Sequence, residues 1–182
     1  MPIYISMLRG INVGAHKRIK MDRLRTSFEN LGFEQVKTYI QSGNVIFKTN
    51  RISTPVLSHR IEEKLLADFG FPVSVISRTV EEMASAIQNN PFLKDSSIDP
   101  DKFHVTFLSG VPAPSALEQL KTLAIAPEQF RCVGKEMYLY LPNGAGKSIL
   151  MKNPLDRALS VVTTTRNWRT VNALHQMCQD CR

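Results

Sequence analysis

Tryptophan occurs once in this sequence, cysteine three times and histidine four times. Three thiols cannot all pair with one another, and 182 residues bury a core without disulfide or metal staples, so a reducing, cytoplasmic setting is expected. No apolar run approaches the ~18 residues of a membrane span, and no membrane partner is expected. The short run Ile3–Leu8 meets Arg9 directly and lacks a small-residue cleavage site, which argues against a secretory leader. Ser/His/Asp, HExxH and paired-carboxylate patterns are missing, and His16, His59, His104 and His175 are scattered, so no catalytic residue can be named. His175-x-x-Cys178-x-x-Cys181 has no second cysteine pair, since Cys132 stands alone, and Cys178 shares an apolar stripe with Val171 and Leu174. That segment reads as core, and neither a metal nor a cofactor is expected.

What is present is a globular composition, 43% hydrophobic and 21% charged, which excludes collagen-like, mucin-like and disordered chains. The formal net charge of +7 is unevenly distributed. Residues 9–25 carry Arg9, Lys17, Arg18, Lys20, Arg23 and Arg25 against Asp22 alone. Residues 147–182 carry Lys147, Lys152, Arg157, Arg166, Arg169 and Arg182 against Asp156 and Asp180. The stretch between them is slightly acidic. Clustered cations favour an anionic partner, nucleic acid or a phosphorylated small molecule; a solvated cationic face is the competing explanation.

Periodicity gives the order of elements. Ile3–Leu8 alternates as a strand, and Met21, Leu24, Phe28 and Leu31 form one helical face that Gly32 stops. Val36–Gln41 and Val45–Phe47 read as strands joined at Ser42-Gly43-Asn44, and Leu57, Ile61, Leu65 and Phe69 mark a helix entered near Pro55. Val73–Ile76 is a strand, and Val80, Met83, Ala84 and Ile87 lie on a helix. After a polar linker, Lys94–Asp101, the order repeats. Phe103–Leu108 is followed by a helix with Leu117, Leu120 and Ala124, then by a hairpin, Phe130–Val133 and Met137–Leu141, around Gly134. Ile149–Leu159 is helical with an interruption near Pro154, Val161–Thr165 is a strand, and Val171, Leu174 and Cys178 define a last helix. The fold class expected is α+β, with two ferredoxin-like βαββαβ lobes at 1–95 and 96–182, each an antiparallel sheet with helices on one face. Two local matches suggest internal duplication: Met7-Leu8-Arg9-Gly10 with Phe107-Leu108-Ser109-Gly110, and Arg78-Thr79-Val80 with Arg169-Thr170-Val171.

Four stretches could carry chemistry. Asn143-Gly144-Ala145-Gly146-Lys147-Ser148 does not fit a nucleotide P-loop, because Leu141 and Pro142 stand where its first glycine and a phosphate-binding amide belong. A weaker anion site at a helix start remains open there, beside a plain glycine turn. Arg9-Gly10-Ile11-Asn12-Val13-Gly14 lacks the dinucleotide spacing, yet its loop could wrap a ligand with Arg9, Asn12 and Lys20. Tyr39 and Gln41 share a strand face next to the turn Ser42-Gly43-Asn44, as a polar recognition patch or as simple hairpin chemistry. Strand Ser42–Lys48 has one aromatic where the RNA-recognition motif wants three, which argues against that motif. Arg166, Trp168 and Arg169 could grip phosphate and stack a base, while Asn167 is a good helix cap.

These motifs also carry a resemblance. Leu8-Arg9-Gly10-Ile11-Asn12-Val13-Gly14, Lys20-Met21 and Thr38-Tyr39-Ile40-Gln41-Ser42-Gly43-Asn44-Val45 resemble the opening of domain-of-unknown-function family 1697. Asn90-Pro91-Phe92, Tyr138–Ser148 and Thr165–Val171 resemble its middle and end, and Ala15 departs from a frequent second glycine. The resemblance implies a bacterial, soluble, two-lobed protein of unknown activity. The leading expectation is binding of an anionic ligand by segments 9–25 and 147–170, through Arg9, Asn12, Lys20, Gln41, Asn44, Arg166, Trp168 and Arg169. A small-molecule enzyme with its site between the lobes, or a structural or interaction module, are the alternatives.

Overall fold

A computed structural model describes residues 1–123, 126–152 and 154–181. The chain forms two compact units, Met1–Ala84 with Ala173–Arg182, and Ser85–Asn172. The first contains β1 (Ile3–Leu8), α1 (Met21–Glu29), β2 (Glu34–Tyr39), β3 (Asn44–Lys48), α2 (Thr54–Phe69) and β4 (Val75–Thr79), followed by α3 (Val80–Gln88). The second contains β5 (Phe103–Leu108), α4 (Pro114–Lys121), β6 (Gln129–Val133), β7 (Glu136–Tyr140), the short α5 (Ile149–Lys152) and α6 (Leu155–Leu159), β8 (Thr163–Asn167) and the start of α7 (Trp168–Gln179), whose residues from Ala173 on belong to the first. The sheets run β2-β3-β1-β4 and β6-β7-β5-β8, antiparallel throughout. The βαββαβ order read from periodicity is therefore observed twice. Ala124, expected on the fourth helix, lies outside the described residues.

Leu57, Ile61 and Leu65 of α2 and Leu24 and Phe28 of α1 are fully buried against one face of the first sheet. Phe47 organises that core: its ring stacks on Phe33 at 4.5 Å and meets Phe28 edge-on at 5.3 Å. In the second unit Leu120 and Leu150 pack with Leu108, Met137 and Leu139. Cys178 is buried, as its place on an apolar stripe requires.

Cross-strand register shows how the lobes correspond. Ser6 opposes Ser77 and their hydroxyls meet at 2.7 Å; Thr106 opposes Thr165 and theirs meet at 2.8 Å. One residue on, Arg78 opposes Ile5 and Arg166 opposes Val105, and each arginine donates through Nη1 to the preceding carbonyl, at 3.0 and 2.9 Å. Thr79 then caps α3 and Asn167 caps α7 by accepting from the amides of Glu82 and Thr170. Arg78 thus corresponds to Arg166. The sequence match of Arg78 with Arg169 is out of register, because Arg169 lies in the first turn of a helix whereas Arg78 lies within a strand. The match of Leu8 with Leu108 is in register, both donating to a hairpin carbonyl, of Gly43 and Lys135.

Thr106→Val or Thr165→Val should each cost about 1–2 kcal/mol by stranding the other hydroxyl, and the double variant should cost less than their sum in denaturant titrations. His104 keeps a buried Nδ1 with no hydrogen-bond partner among the described residues, and burial holds its pKa below the ordinary 6.5. The unfolded chain takes up this proton first as pH falls. Unfolding free energy should therefore be level above about pH 7 and decline below 6.5, and His104→Gln should flatten that decline.

Candidate functional site

The first unit builds its site from a close backbone contact. Gly43 has φ +81°, and a Cβ there would lie 2.7 Å from Ile11 Cδ1 and 2.8 Å from Leu8 Cβ. Without that atom, the turn after β2 lies directly on the end of β1, and the Leu8 amide donates to the Gly43 carbonyl at 2.8 Å. Ile11 is buried beneath it. Asn12 then closes the loop between β1 and α1. Its Oδ1 accepts from the Ile19 amide at 2.9 Å, and its Nδ2 donates to the carbonyls of Ile19 at 2.9 Å and Gln41 at 2.8 Å. The Asn12 amide donates to Lys17 O at 3.1 Å, and Lys17 Nζ reaches Pro72 O at 2.9 Å. A loop of twelve residues, Arg9–Lys20, is thereby fastened at both ends and at its middle.

This placement sorts the candidate residues. Asn12 commits both amide protons inside the protein, and buried Asn44 donates to Tyr39 O and Ser42 Oγ, each at 3.0 Å, holding the turn. Arg9 is half-buried, whereas Arg18, Lys20 and Gln41 are exposed. Arg18 and Lys20 have no side-chain partner among the described residues, and the nearby Asp22 is paired with Arg25 at 2.5 Å. Asn12, Gln41 and Asn44 are thus brought together around one turn, with Arg9 and Lys20 at the ends of the loop.

The other three candidates lie in the second unit. Arg166 is buried and donates to Thr164 Oγ1 at 2.8 Å and Thr165 O at 2.9 Å; burial pushes its guanidinium down to about 10. Trp168 is half-buried, its ring edge-on to Phe103 at 6.2 Å. Arg169 is exposed, with no side-chain partner among the described residues. The glycine segment 143–148 meets an anion of its own chain. The Glu128 carboxylate accepts from Ser148 Oγ at 3.0 Å and from the amides of Ile149 and Leu150 at 3.2 and 3.3 Å. The anion expected at that helix start is internal. A cavity of about 560 Å³ includes Leu117, Glu128, Phe130 and Cys132 in its wall. Burial and Glu136 raise the Cys132 thiol above its ordinary 9.0, so it is not an activated nucleophile. No group of metal-ligating side chains occurs among the described residues. No helix there is long and apolar enough to cross a membrane.

Fold and loop together define a two-unit α+β protein with a stapled, cation-bearing loop set against a glycine turn. The model of the family described as "Protein of unknown function (DUF1697)" matches residues 1–138, and the chain belongs to that family. Both motifs of the stapled loop and turn fall within the match; the Thr165–Val171 stretch lies beyond it. A solved structure of a conserved bacterial protein from Streptococcus pneumoniae is similar in fold, with 24% identity, a TM-score of 0.76, and 97% of this chain and 98% of that one covered. No curated protein matches the chain.

Substitution of two glycines tests the turn. Gly32 also has positive φ, +79°, but a Cβ there meets nothing within 4 Å. Gly32→Ala should cost about 1–2 kcal/mol for the left-handed backbone, and Gly43→Ala roughly twice that because Ile11 and Leu8 must also move. Denaturant midpoints measure the difference.

Proposed function

We propose that this protein binds an anionic ligand, nucleic acid or a phosphate-bearing small molecule, through the loop Arg9–Lys20. The observation that supports this reading is the combination of a fixed backbone with uncompensated charge. Asn12 fastens the loop through three side-chain hydrogen bonds, and Arg18 and Lys20 stand in solvent without a carboxylate partner among the described residues. Cations on a pre-ordered loop lose little backbone entropy on meeting phosphate, and their field is not cancelled locally. Arg18 and Lys20 supply the charge, Arg9 borders the site, and Gln41 adds a hydrogen-bonding side chain beside it. Asn12 and Asn44 act as the scaffold of the site.

Fluorescence anisotropy with a labelled single-stranded oligonucleotide tests the reading at several salt concentrations. The logarithm of affinity should fall linearly with the logarithm of salt, and Arg18→Glu/Lys20→Glu should flatten the slope by about two. An affinity that ignores salt, or a double variant that binds like the parent, refutes the proposal.

A further inference from the structure

The face of the second sheet that carries Arg166 also carries aromatic residues. Phe103 on β5 opposes Tyr140 on β7, and Tyr138, two residues before Tyr140, shares its face. Phe92, from the turn Pro91–Lys94, stacks on Phe103 at 5.7 Å and 22°, and the Tyr138 hydroxyl donates to Ala86 O at 2.7 Å. The protein's own chain therefore covers the middle of this face. The rim is open. Tyr140 lies 6.2 Å from the Phe103 ring and 6.3 Å from Phe92, Trp168 lies 6.2 Å from Phe103, and both Tyr140 and Trp168 are only half-buried. Rings that merely fill a core are covered, as Phe92 at 6% and Phe103 at 1% exposure are.

Cations border the rim. Arg131 on the edge strand β6 opposes Tyr138 and so shares its face, and its guanidinium lies 5.9 Å from the Phe92 ring centroid. Its one side-chain hydrogen bond among the described residues goes to the Phe130 carbonyl, at 2.8 Å. Arg169 follows Trp168 directly and is exposed. Neither arginine has a carboxylate partner among the described residues. Half-open rings with unpaired guanidinium groups beside them suit a ligand that alternates flat π-faces with negative charge.

We propose that Tyr140 and Trp168 form a base-stacking subsite for single-stranded nucleic acid, with Arg131 and Arg169 meeting the adjoining phosphates. A duplex hides its base faces and would not fit; a single strand offers them. The inference rests on the anionic-ligand reading for its charge and adds the ligand class, on a surface of the second unit. Of the two tyrosines on the third strand of the second lobe, Tyr138 is buried and Tyr140 is half-buried at the rim.

Because Trp168 is the sole tryptophan, its emission reports on this subsite directly. The full-length protein would be titrated with a 12-nucleotide oligothymidylate, with an abasic oligomer of about the same length and charge, and with a 12-base-pair duplex. The expected result is saturable quenching by oligothymidylate and binding at least about tenfold weaker for the abasic strand and the duplex. Tyr140→Ala should weaken oligothymidylate about tenfold or more; if it fails to fold, Arg131→Gln at the exposed edge should weaken it about threefold to tenfold. Equal affinity for the abasic strand overturns the inference. So does anisotropy-detected binding that leaves Trp168 emission unchanged. In both cases the loop reading survives if Arg18→Glu/Lys20→Glu still weakens binding. No binding of either strand refutes both.

Discussion

The missing side chain at Gly43 is the constraint on which the first unit's surface depends. A methyl group there would occupy the space of Ile11 and Leu8. Its absence lets the β2–β3 turn rest on the end of β1, buries Ile11, and brings the Gln41 carbonyl within reach of Asn12. Asn12 then pairs with Ile19 through both faces of its amide, much as a strand residue pairs with its neighbour, and so sets where the chain enters α1. The exposed Arg18 and Lys20 are held on a backbone that has little freedom left to lose. The loop around Gly10–Gly14 and the turn at Gly43 are thus two sides of one contact.

The second unit uses the same plan differently. Register equates Ile3 with Phe103, Ile46 with Tyr138 and Lys48 with Tyr140. It also equates Tyr4 with His104 and Phe47 with Leu139. The first lobe therefore places its large rings on the helix side, where Phe47 meets Phe28 and Phe33. The second places Phe103, Tyr138 and Tyr140 on the opposite face and keeps Phe130 on the helix side. The buried hydroxyl pair, the buried arginine and the capped helix after the last strand are kept in both lobes. These shared features specify strand offset, so they fit duplication of one unit, whereas the faces are free to diverge. Tyr4 still finds both backbone groups of Ile52 for its hydroxyl, while His104 in the same place leaves its buried Nδ1 without a partner among the described residues.

Much of this was legible in the sequence. Leu57, Ile61 and Leu65 recur at helical spacing and are buried together, and alternation in Ile3–Leu8 marks a strand. Offset between strands was less legible. Arg78-Thr79-Val80 matches Arg169-Thr170-Val171 letter for letter, yet the hydroxyl pairs align Arg78 with Arg166, because pairing follows hydrogen bonds and burial, not identity. The candidate site was legible as a set of polar residues, but not in its division of labour. Glu128 fills the start of α5 from twenty residues upstream, and nothing in the glycine segment itself signals that.

By itself the sequence determined the order of elements, the repetition of that order, the two cationic segments and the glycine that the turn requires. These are local properties: periodicity, turn chemistry and charge count depend on near neighbours. Only the tertiary structure decided which polar side chains are used up inside the protein and which stay available. Asn12 and Gln41 are 29 positions apart, and Arg131 on β6 reaches the Phe92 ring of the turn Pro91–Lys94. Such partners are set by how the chain closes on itself, so a residue's freedom to bind anything else is known only when the fold is.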